Sequence, residues 1–163
     1  MGWWSIDVGG RVLRYTQSVD DEPKEMRRKA WNAAHSWAYL HYSLIERDEE
    51  LDCVGEVDGT YGWWEVKTCH MDTGNFLLKS EQHGDAMYYG EGYIFVVLER
   101  LDDTHWSVVD HTVVEVERVD DLVGDRNWVG CERDYEQLQL PYTVVPGLDP
   151  VSRCGVLPVG RTV

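Results

Sequence analysis

The sequence predicts an α/β fold in which helices flank a mixed central sheet, with core elements in the order α-β-β-β-α-β. Three observations carry this prediction. Apolar residues recur near helical spacing from Asp20 to about Arg47, and two short strands joined by a glycine-rich turn follow between Cys53 and Thr68. A second helical stretch, Leu77 to Tyr89, leads into Tyr93–Leu98, a continuous apolar run typical of strands buried on both faces.

The start of this core is also marked in the sequence. Trp3 to Ser18 alternates loosely, which predicts one or two edge strands before the first helix. That helix is expected to begin at Asp20, because acidic residues fill its first turn and Pro23 lies just inside it. It is expected to run to about Arg47, where an acidic run breaks the pattern.

The remaining core elements follow the hairpin. We expect a third strand after it, with a loop at Met71–Asn75. The expected inner positions of the second helix are Leu78, Gln82, Asp85, Met87 and Tyr88. If the strands that contain Glu65 and Tyr93 are parallel, the chain crosses between them right-handedly through this helix. Alternation from Trp106 to Val116 predicts one or two further strands.

The 163 residues are expected to form a single domain, with a core at about 20–118 and an irregular C-terminal tail at about 124–163. The sequence contains no apolar run long enough to cross a bilayer, and its N-terminus lacks the basic region and apolar core of a signal peptide. We therefore expect a soluble, cytoplasmic protein with no membrane partner.

The charge is strongly acidic, with 30 acidic residues against 15 basic ones and a formal net charge of -15. Only four of the basic residues are lysine. This composition favours a protein adapted to molar salt, such as one from a halophilic archaeon or its virus, over an ordinary acidic protein. Because the screening length falls to about 3 Å at 1 M salt, the charge does not exclude DNA as a partner.

The four cysteines form no C-x-x-C pair, so a zinc knuckle or an iron–sulfur cluster has no support from spacing. The sequence also lacks a Ser-His-Asp order, a phosphate-cradling glycine loop and an H-E-x-x-H motif. These absences remove support for several other hydrolase classes.

The hairpin carries the residues with the clearest chemistry. Glu65 and Lys67 lie two positions apart on its second strand, so their side chains share a face, and Val66 points to the opposite, buried face. Asp58 ends the first strand, and we expect the hairpin to bring it beside Glu65. Two carboxylates and an amine suit a hydrolase that holds a hard divalent cation against a phosphodiester. The alternative interpretation is an exposed hairpin ion pair.

This hairpin resembles the motifs of the PD-(D/E)xK nuclease superfamily, which has the restriction-endonuclease-like fold. The run Val54–Asp58 resembles the first acidic motif, and Trp64–Thr68 resembles the second. Val57 stands where the family has a proline, and Gly55 lies three residues before the aspartate. These features resemble the branch of helicase-associated and phage recombination exonucleases. The resemblance covers about Lys24 to Glu99.

The resemblance implies a Mg²⁺ or Mn²⁺ ion held by the carboxylates of Asp58 and Glu65 and by the backbone carbonyl of Val66. Lys67 is then expected to contact the scissile phosphate or to orient the attacking water, and its alternative role is an ion pair with Glu65. Related exonucleases place a further metal ligand on the first helix. His35 is our preferred residue for that role, with Glu46 as a rival and an ordinary buried or surface histidine as the alternative.

Further residues are expected to contact DNA. Gln82 followed by Tyr88 or Tyr89 resembles a third motif of the recombination exonucleases, and Lys79 lies one turn before Gln82. Lys79 is expected to contact phosphate, its alternative being an exposed helix cation. Stacking of single-stranded bases is a further expectation for the tryptophans Trp3, Trp4, Trp63 and Trp64.

Together these features predict a metal-dependent deoxyribonuclease, either endo- or exonucleolytic, with DNA as its partner. It is expected to act as a homo-oligomer or with a separate helicase or recombination partner. One alternative is a catalytically silent module of the same fold that binds nucleic acid or protein. The other is an accessory protein whose acidic surface mimics DNA.

Overall fold

Within the residues that the computed structural model of the protein describes, there are ten strands, three α-helices and a short 3₁₀ helix at Tyr142–Val144. The structure describes residues 4–8, 11–15, 21–46, 53–130 and 136–148. The strands are β1 (Trp4–Val8), β2 (Arg11–Tyr15), β3 (Ile45–Glu46), β4 (Cys53–Val57), β5 (Thr60–His70), β6 (Asn75–Lys79), β7 (Gly92–Arg100), β8 (Trp106–Val114), β9 (Val129–Gly130) and β10 (Glu136–Pro141). The helices are α1 (Asp21–Tyr42), α2 (Ser80–Tyr89) and α3 (Val116–Val123). None of these described helices has both the length and the apolar character needed to span a membrane.

β5 organises the main sheet, which contains β3 to β10. Its first half pairs antiparallel with β4, and Trp64–His70 pairs parallel with β7. β6 extends the sheet to β10 and β9, and β7 extends it to β8. The parallel pairing of β5 and β7 confirms the predicted crossover through the second helix. β1 and β2 confirm two N-terminal strands, but they pair with each other in a separate sheet.

Two apolar cores cover the two faces of this sheet. Ala30, Ala34 and Ala38 recur every four residues on α1, and their small side chains pack with Trp64 and Val66 of β5. The other core contains the valines of α3, Ala86 of α2, and side chains from β6, β7 and β10. The result is a helix–sheet–helix arrangement, as predicted. Residues 92–98 of β7 are buried throughout, which confirms the strand buried on both faces.

Both core helices are shorter than predicted. α1 ends at Tyr42 because Ser43 adopts a positive φ of 54° and the Leu44 N–H donates to the Tyr39 carbonyl at 3.0 Å. The chain then enters β3. The second helix starts at Ser80, because the residues before it form β6, where Phe76 and Leu78 alternate into the core.

The inner face of α2 also differs from the prediction. Its buried residues are His83 and Ala86, whereas Met87 and Tyr88 are exposed. Asp85 is half-buried.

The described residues after β8 form more regular secondary structure than predicted. α3 follows β8 and buries Val116, Val119 and Val123 along one face. β10 lies inside the expected irregular tail, pairs with β6, and buries Leu138 and Leu140 by alternation. Residues 131–135 and 149–163 of that tail lie outside the described residues.

Gly92, at the start of β7, packs directly against Trp64. A Cβ at Gly92 would lie 2.3 Å from Cζ3 of that indole. We expect Gly92→Ala to destabilise the protein by about 1–3 kcal/mol because the indole has to move within a packed core. Gly84→Ala is the matched control. A Cβ there meets nothing within 4 Å, and alanine in a helix gains about 0.5–1 kcal/mol over glycine. Urea unfolding measures both, and equal effects of the two substitutions would contradict this packing account.

Candidate active site

Glu65 and Lys67 form a buried ion pair on the face of β5 that α2 covers. Their side chains share that face as predicted, with Lys67 Nζ 3.3 Å from Glu65 Oε1. The two residues are only 6% and 7% exposed. Lys67 Nζ also donates a hydrogen bond of 2.9 Å to Gln82 Oε1 on α2. The pair is therefore not the exposed hairpin ion pair that was the alternative interpretation.

Burial makes this pair costly unless each charge is compensated. Removing a carboxylate and an ammonium from water costs several kcal/mol per ion, which their attraction and additional hydrogen bonds must offset. Lys67 receives that compensation from a carboxylate on its own strand and from an amide oxygen on α2. The amine is therefore held at one place beside the carboxylate.

Asp58 is the first residue of the tight turn between β4 and β5. Asp58 has φ 50° and Gly59 has φ 87°, and Val57 pairs with Thr60 across the two-residue turn. Asp-Gly is favoured in such turns because both central residues need positive φ. Glu65 lies five residues beyond Thr60, which is about 16 Å along a strand. The expectation that the hairpin brings Asp58 beside Glu65 is therefore wrong.

The register of the hairpin indicates a different carboxylate. The last described pair between β4 and β5 is Cys53 with Trp64. Antiparallel pairing moves one residue back on one strand for each residue forward on the other, and in the sequence Asp52 precedes Cys53 as Glu65 follows Trp64. Asp52 lies outside the described residues. The Asp-Gly dipeptide, which favours a two-residue turn, is the sequence signal that indicates the register of the described hairpin.

His35 is buried on α1, where its Nδ1 lies 2.8 Å from the Trp31 carbonyl. Burial lowers the pKa of His35 from 6.5 to about 4, the hydrogen bond to Trp31 opposes this shift, and the charge of Lys67 adds to it. The ring is therefore neutral near pH 7. Since a carbonyl only accepts, Nδ1 carries the proton and Nε2 is the unprotonated nitrogen, the form that binds metals.

The predicted metal ligands are not all brought together. Within the described ranges, no three side chains of His, Cys, Asp or Glu are grouped so that they could hold a metal ion. His35, Asp58 and Glu65 therefore form no such group. Glu65 places a carboxylate beside Lys67, and the side chain of Val66 is buried in the α1 core as predicted.

The predicted DNA contacts lie on and around α2. Lys79 is the last residue of β6, and Tyr88 lies six residues beyond Gln82, about 9 Å along the helix axis. Tyr88 is 82% exposed and packs edge-on against Tyr89. The sequence did not predict the contact of Gln82 with Lys67, which joins α2 to β5.

The remaining candidates lie elsewhere. Glu46 is exposed on β3. Trp64 is buried and its indole N–H donates to the Gly55 carbonyl, so it is a core residue. Trp63 is half-buried. Trp3 and the side chain of Trp4 lie outside the described residues.

The low pKa of His35 gives a stability prediction. Because the folded pKa of about 4 is below the unfolded value of 6.5, the unfolded chain binds more protons between these values. The stability of the wild type should therefore fall between pH 6.5 and pH 4, by about 3 kcal/mol more than that of His35→Asn. Urea unfolding across this range measures the difference. If the free energies of unfolding of the wild type and His35→Asn fell in parallel with pH, the prediction would be contradicted. His105→Asn, which replaces an exposed histidine, is the control.

Comparison with known families places these features in context. A family model described as the PD-(D/E)XK nuclease superfamily domain matches residues 21–146. No curated protein and no solved structure matches the chain. The match includes α1, α2 and the β4–β7 core, and the mixed sheet flanked by helices agrees with the restriction-endonuclease-like fold. Because the match covers most of the sequence, the chain belongs to the PD-(D/E)XK nuclease superfamily.

Proposed function

We propose that this protein is a metal-dependent deoxyribonuclease that hydrolyses phosphodiester bonds. The observation that supports the proposal most is the buried Glu65–Lys67 pair, fixed by Gln82, on the central strand of this fold. A purely structural pair gains little from burial, since well-packed apolar residues often serve stability equally well. An anion and a cation fixed side by side are instead suited to binding a metal and a phosphate.

The donor atoms fit a hard divalent cation. The carboxylate of Glu65 and the backbone carbonyl of Val66 are oxygen ligands of the kind that Mg²⁺ and Mn²⁺ accept. We propose Asp52 as the second carboxylate, on the support of the β4–β5 register, and retain His35 as a further ligand because its ring is neutral. A cation bound there would lower the pKa of a water ligand and neutralise charge on the phosphate.

Lys67 would supply the fixed positive charge. Its amine is held by Glu65 and Gln82 before substrate arrives, so little reorganisation is needed when a phosphate oxygen gains charge. The Lys67 amine has three N–H groups, of which Glu65 and Gln82 accept two. The third is directed to the phosphate or to the attacking water. Lys79, Tyr88 and Tyr89 would contact the DNA backbone near the same helix.

Several finer properties belong to this proposal. They are membership of the recombination-exonuclease branch, a cytoplasmic location, adaptation to molar salt, and action as a homo-oligomer or with a separate helicase or recombination partner. The net charge of -15 supports the salt adaptation, because hydrated carboxylates keep a surface soluble where salt precipitates others. It also indicates that DNA binding has to be assayed where repulsion is screened.

The test is cleavage of labelled linear, circular, single-stranded and double-stranded DNA in about 2 M KCl, where charge repulsion is screened. Mg²⁺, Mn²⁺ and chelator are compared in parallel. Cutting that requires metal supports the proposal, and dependence on free ends would identify an exonuclease. Metal binding without cleavage of any substrate would instead select the silent binding module.

A further inference from the structure

A hydrogen-bond chain, buried at His83 and Tyr93, joins α3, α2 and β7 next to the candidate active site. His83 of α2 has Nδ1 3.3 Å from the hydroxyl of Tyr93 and Nε2 3.1 Å from Oδ1 of Asp120. A carboxylate only accepts, so Nε2–H donates to Asp120. In the tautomer with its single proton on Nε2, Nδ1 accepts from the Tyr93 hydroxyl. His83 is buried, and Asp120 is half exposed on the surface.

The inner end of this chain lies beside the catalytic strand. Tyr93 is fully buried on β7 and is the register partner of Glu65 on β5. Paired residues on neighbouring strands are about 4.8 Å apart and point to the same face. The Tyr93 ring stacks on Phe95, the partner of Lys67, at 5.9 Å. The two strands therefore place Tyr93 next to the Glu65–Lys67 pair.

Few apolar contacts hold α2 in place, so polar contacts are important for its orientation. Its buried residues are His83 and Ala86, whereas α3 is anchored by three buried valines. A buried alanine contributes little area, and burying His83 is favourable only when its ring nitrogens are paired. The contacts of His83 with Asp120 and Tyr93 pair both ring nitrogens and connect α2 to α3 and to β7. Gln82, the preceding residue, presents its oxygen to Lys67 from the same turn.

We propose that Asp120, His83 and Tyr93 are positioning residues that orient α2 so that Gln82 holds the Lys67 amine in place. An effect of these three residues on the cleavage rate rests on the proposed nuclease function. Their effect on the orientation of Lys67 does not depend on that function. A role in stability alone would leave the environment of Lys67 unchanged in variants that remain folded.

Competitive labelling of lysines with trace acetic anhydride tests this without any substrate. The chain has only four lysines, so peptide mass spectrometry resolves each one, and exposed Lys29 is the internal reference. Asp120→Ala removes the acceptor at a half-exposed site, whereas Asp120→Asn keeps a carbonyl that accepts from His83. Asp102→Ala is the matched control, because Asp102 pairs with His105 at 2.8 Å on the surface.

We expect labelling of Lys67 relative to Lys29 to rise about threefold or more in Asp120→Ala, because a loosened α2 opens locally more often. Asp120→Asn and Asp102→Ala should match the wild type. If His83→Phe folds, its labelling of Lys67 should rise as in Asp120→Ala. If His83→Phe does not fold, the result for Asp120→Ala alone decides the test. Unchanged labelling of Lys67 in folded Asp120→Ala, or an equal rise in Asp102→Ala, would overturn the proposal.

Cleavage kinetics give the second readout. We expect kcat of Asp120→Ala to fall about tenfold with KM unchanged, because small misplacements of catalytic groups are costly. Asp120→Asn should keep the wild-type kcat. If labelling changes as expected but no variant, including the wild type, cuts DNA, the positioning role stands and the nuclease function fails. If the wild type cuts and labelling is unchanged, the positioning role fails alone.

Discussion

Glu65→Gln is expected to lower the rate of DNA cleavage by about 100-fold or more while the protein stays folded. Glutamine matches the volume of glutamate and keeps an oxygen that accepts from Lys67, so the buried contact at 3.3 Å survives in weaker form. It lacks the negative charge that attracts a divalent cation. Removing a single neutral hydrogen-bond donor from an oxyanion hole already costs about 10²–10³ in kcat, and we expect loss of a full charge at the metal site to cost at least as much.

Initial rates on labelled DNA at saturating Mn²⁺, with thermal unfolding measured in parallel, check this result. Glu56→Gln is the control, because Glu56 lies on the same hairpin but is exposed. It should cut at the wild-type rate. A Glu65→Gln protein with full activity would exclude Glu65 as a metal ligand and remove the proposed site.

Asp52→Asn should lose cleavage to a similar degree, whereas Asp58→Asn should stay within about threefold of the wild type. The register that ends at Cys53 and Trp64 supports Asp52 as the carboxylate opposite Glu65. Asp58 occupies a turn position with φ 50°, where asparagine is as well suited as aspartate, so Asp58→Asn removes a charge without straining the turn.

Cleavage rates and calorimetric titration with Mn²⁺ distinguish the two aspartates. Asp52→Asn should weaken Mn²⁺ binding as well as cleavage, and Asp58→Asn should change neither. Loss of activity in Asp58→Asn with retention in Asp52→Asn would contradict the register argument. That result would instead support Asp58, at the turn, as the second metal-binding carboxylate.

Local patterns in the sequence predicted which residues of β5 lie on each face of the sheet. Alternation placed Glu65 and Lys67 together and Val66 in the opposite core, and the apolar run identified β7. These predictions succeeded because strand periodicity depends on neighbouring residues alone.

Contacts between distant segments were not predictable in the same way. β10 pairs with β6 across some sixty residues of sequence, and no local signal marks that partner. The bond of Gln82 to Lys67 likewise depends on how α2 packs over β5. The wrong expectation that Asp58 lies beside Glu65 had a different cause. The Asp-Gly pair marks the two-residue turn that sets the register, and Asp58 was interpreted instead as a metal-binding carboxylate.

The most direct test of the nuclease account is metal-dependent cutting by the wild type compared with Lys67→Ala. End-labelled double-stranded DNA is incubated with Mn²⁺ in about 2 M KCl, where charge repulsion is screened, and Lys79→Ala serves as a second lysine variant. The account predicts cutting by the wild type that chelator abolishes, loss of cutting in Lys67→Ala, and weaker substrate binding in Lys79→Ala. Equal cutting by the wild type and a folded Lys67→Ala protein would contradict it.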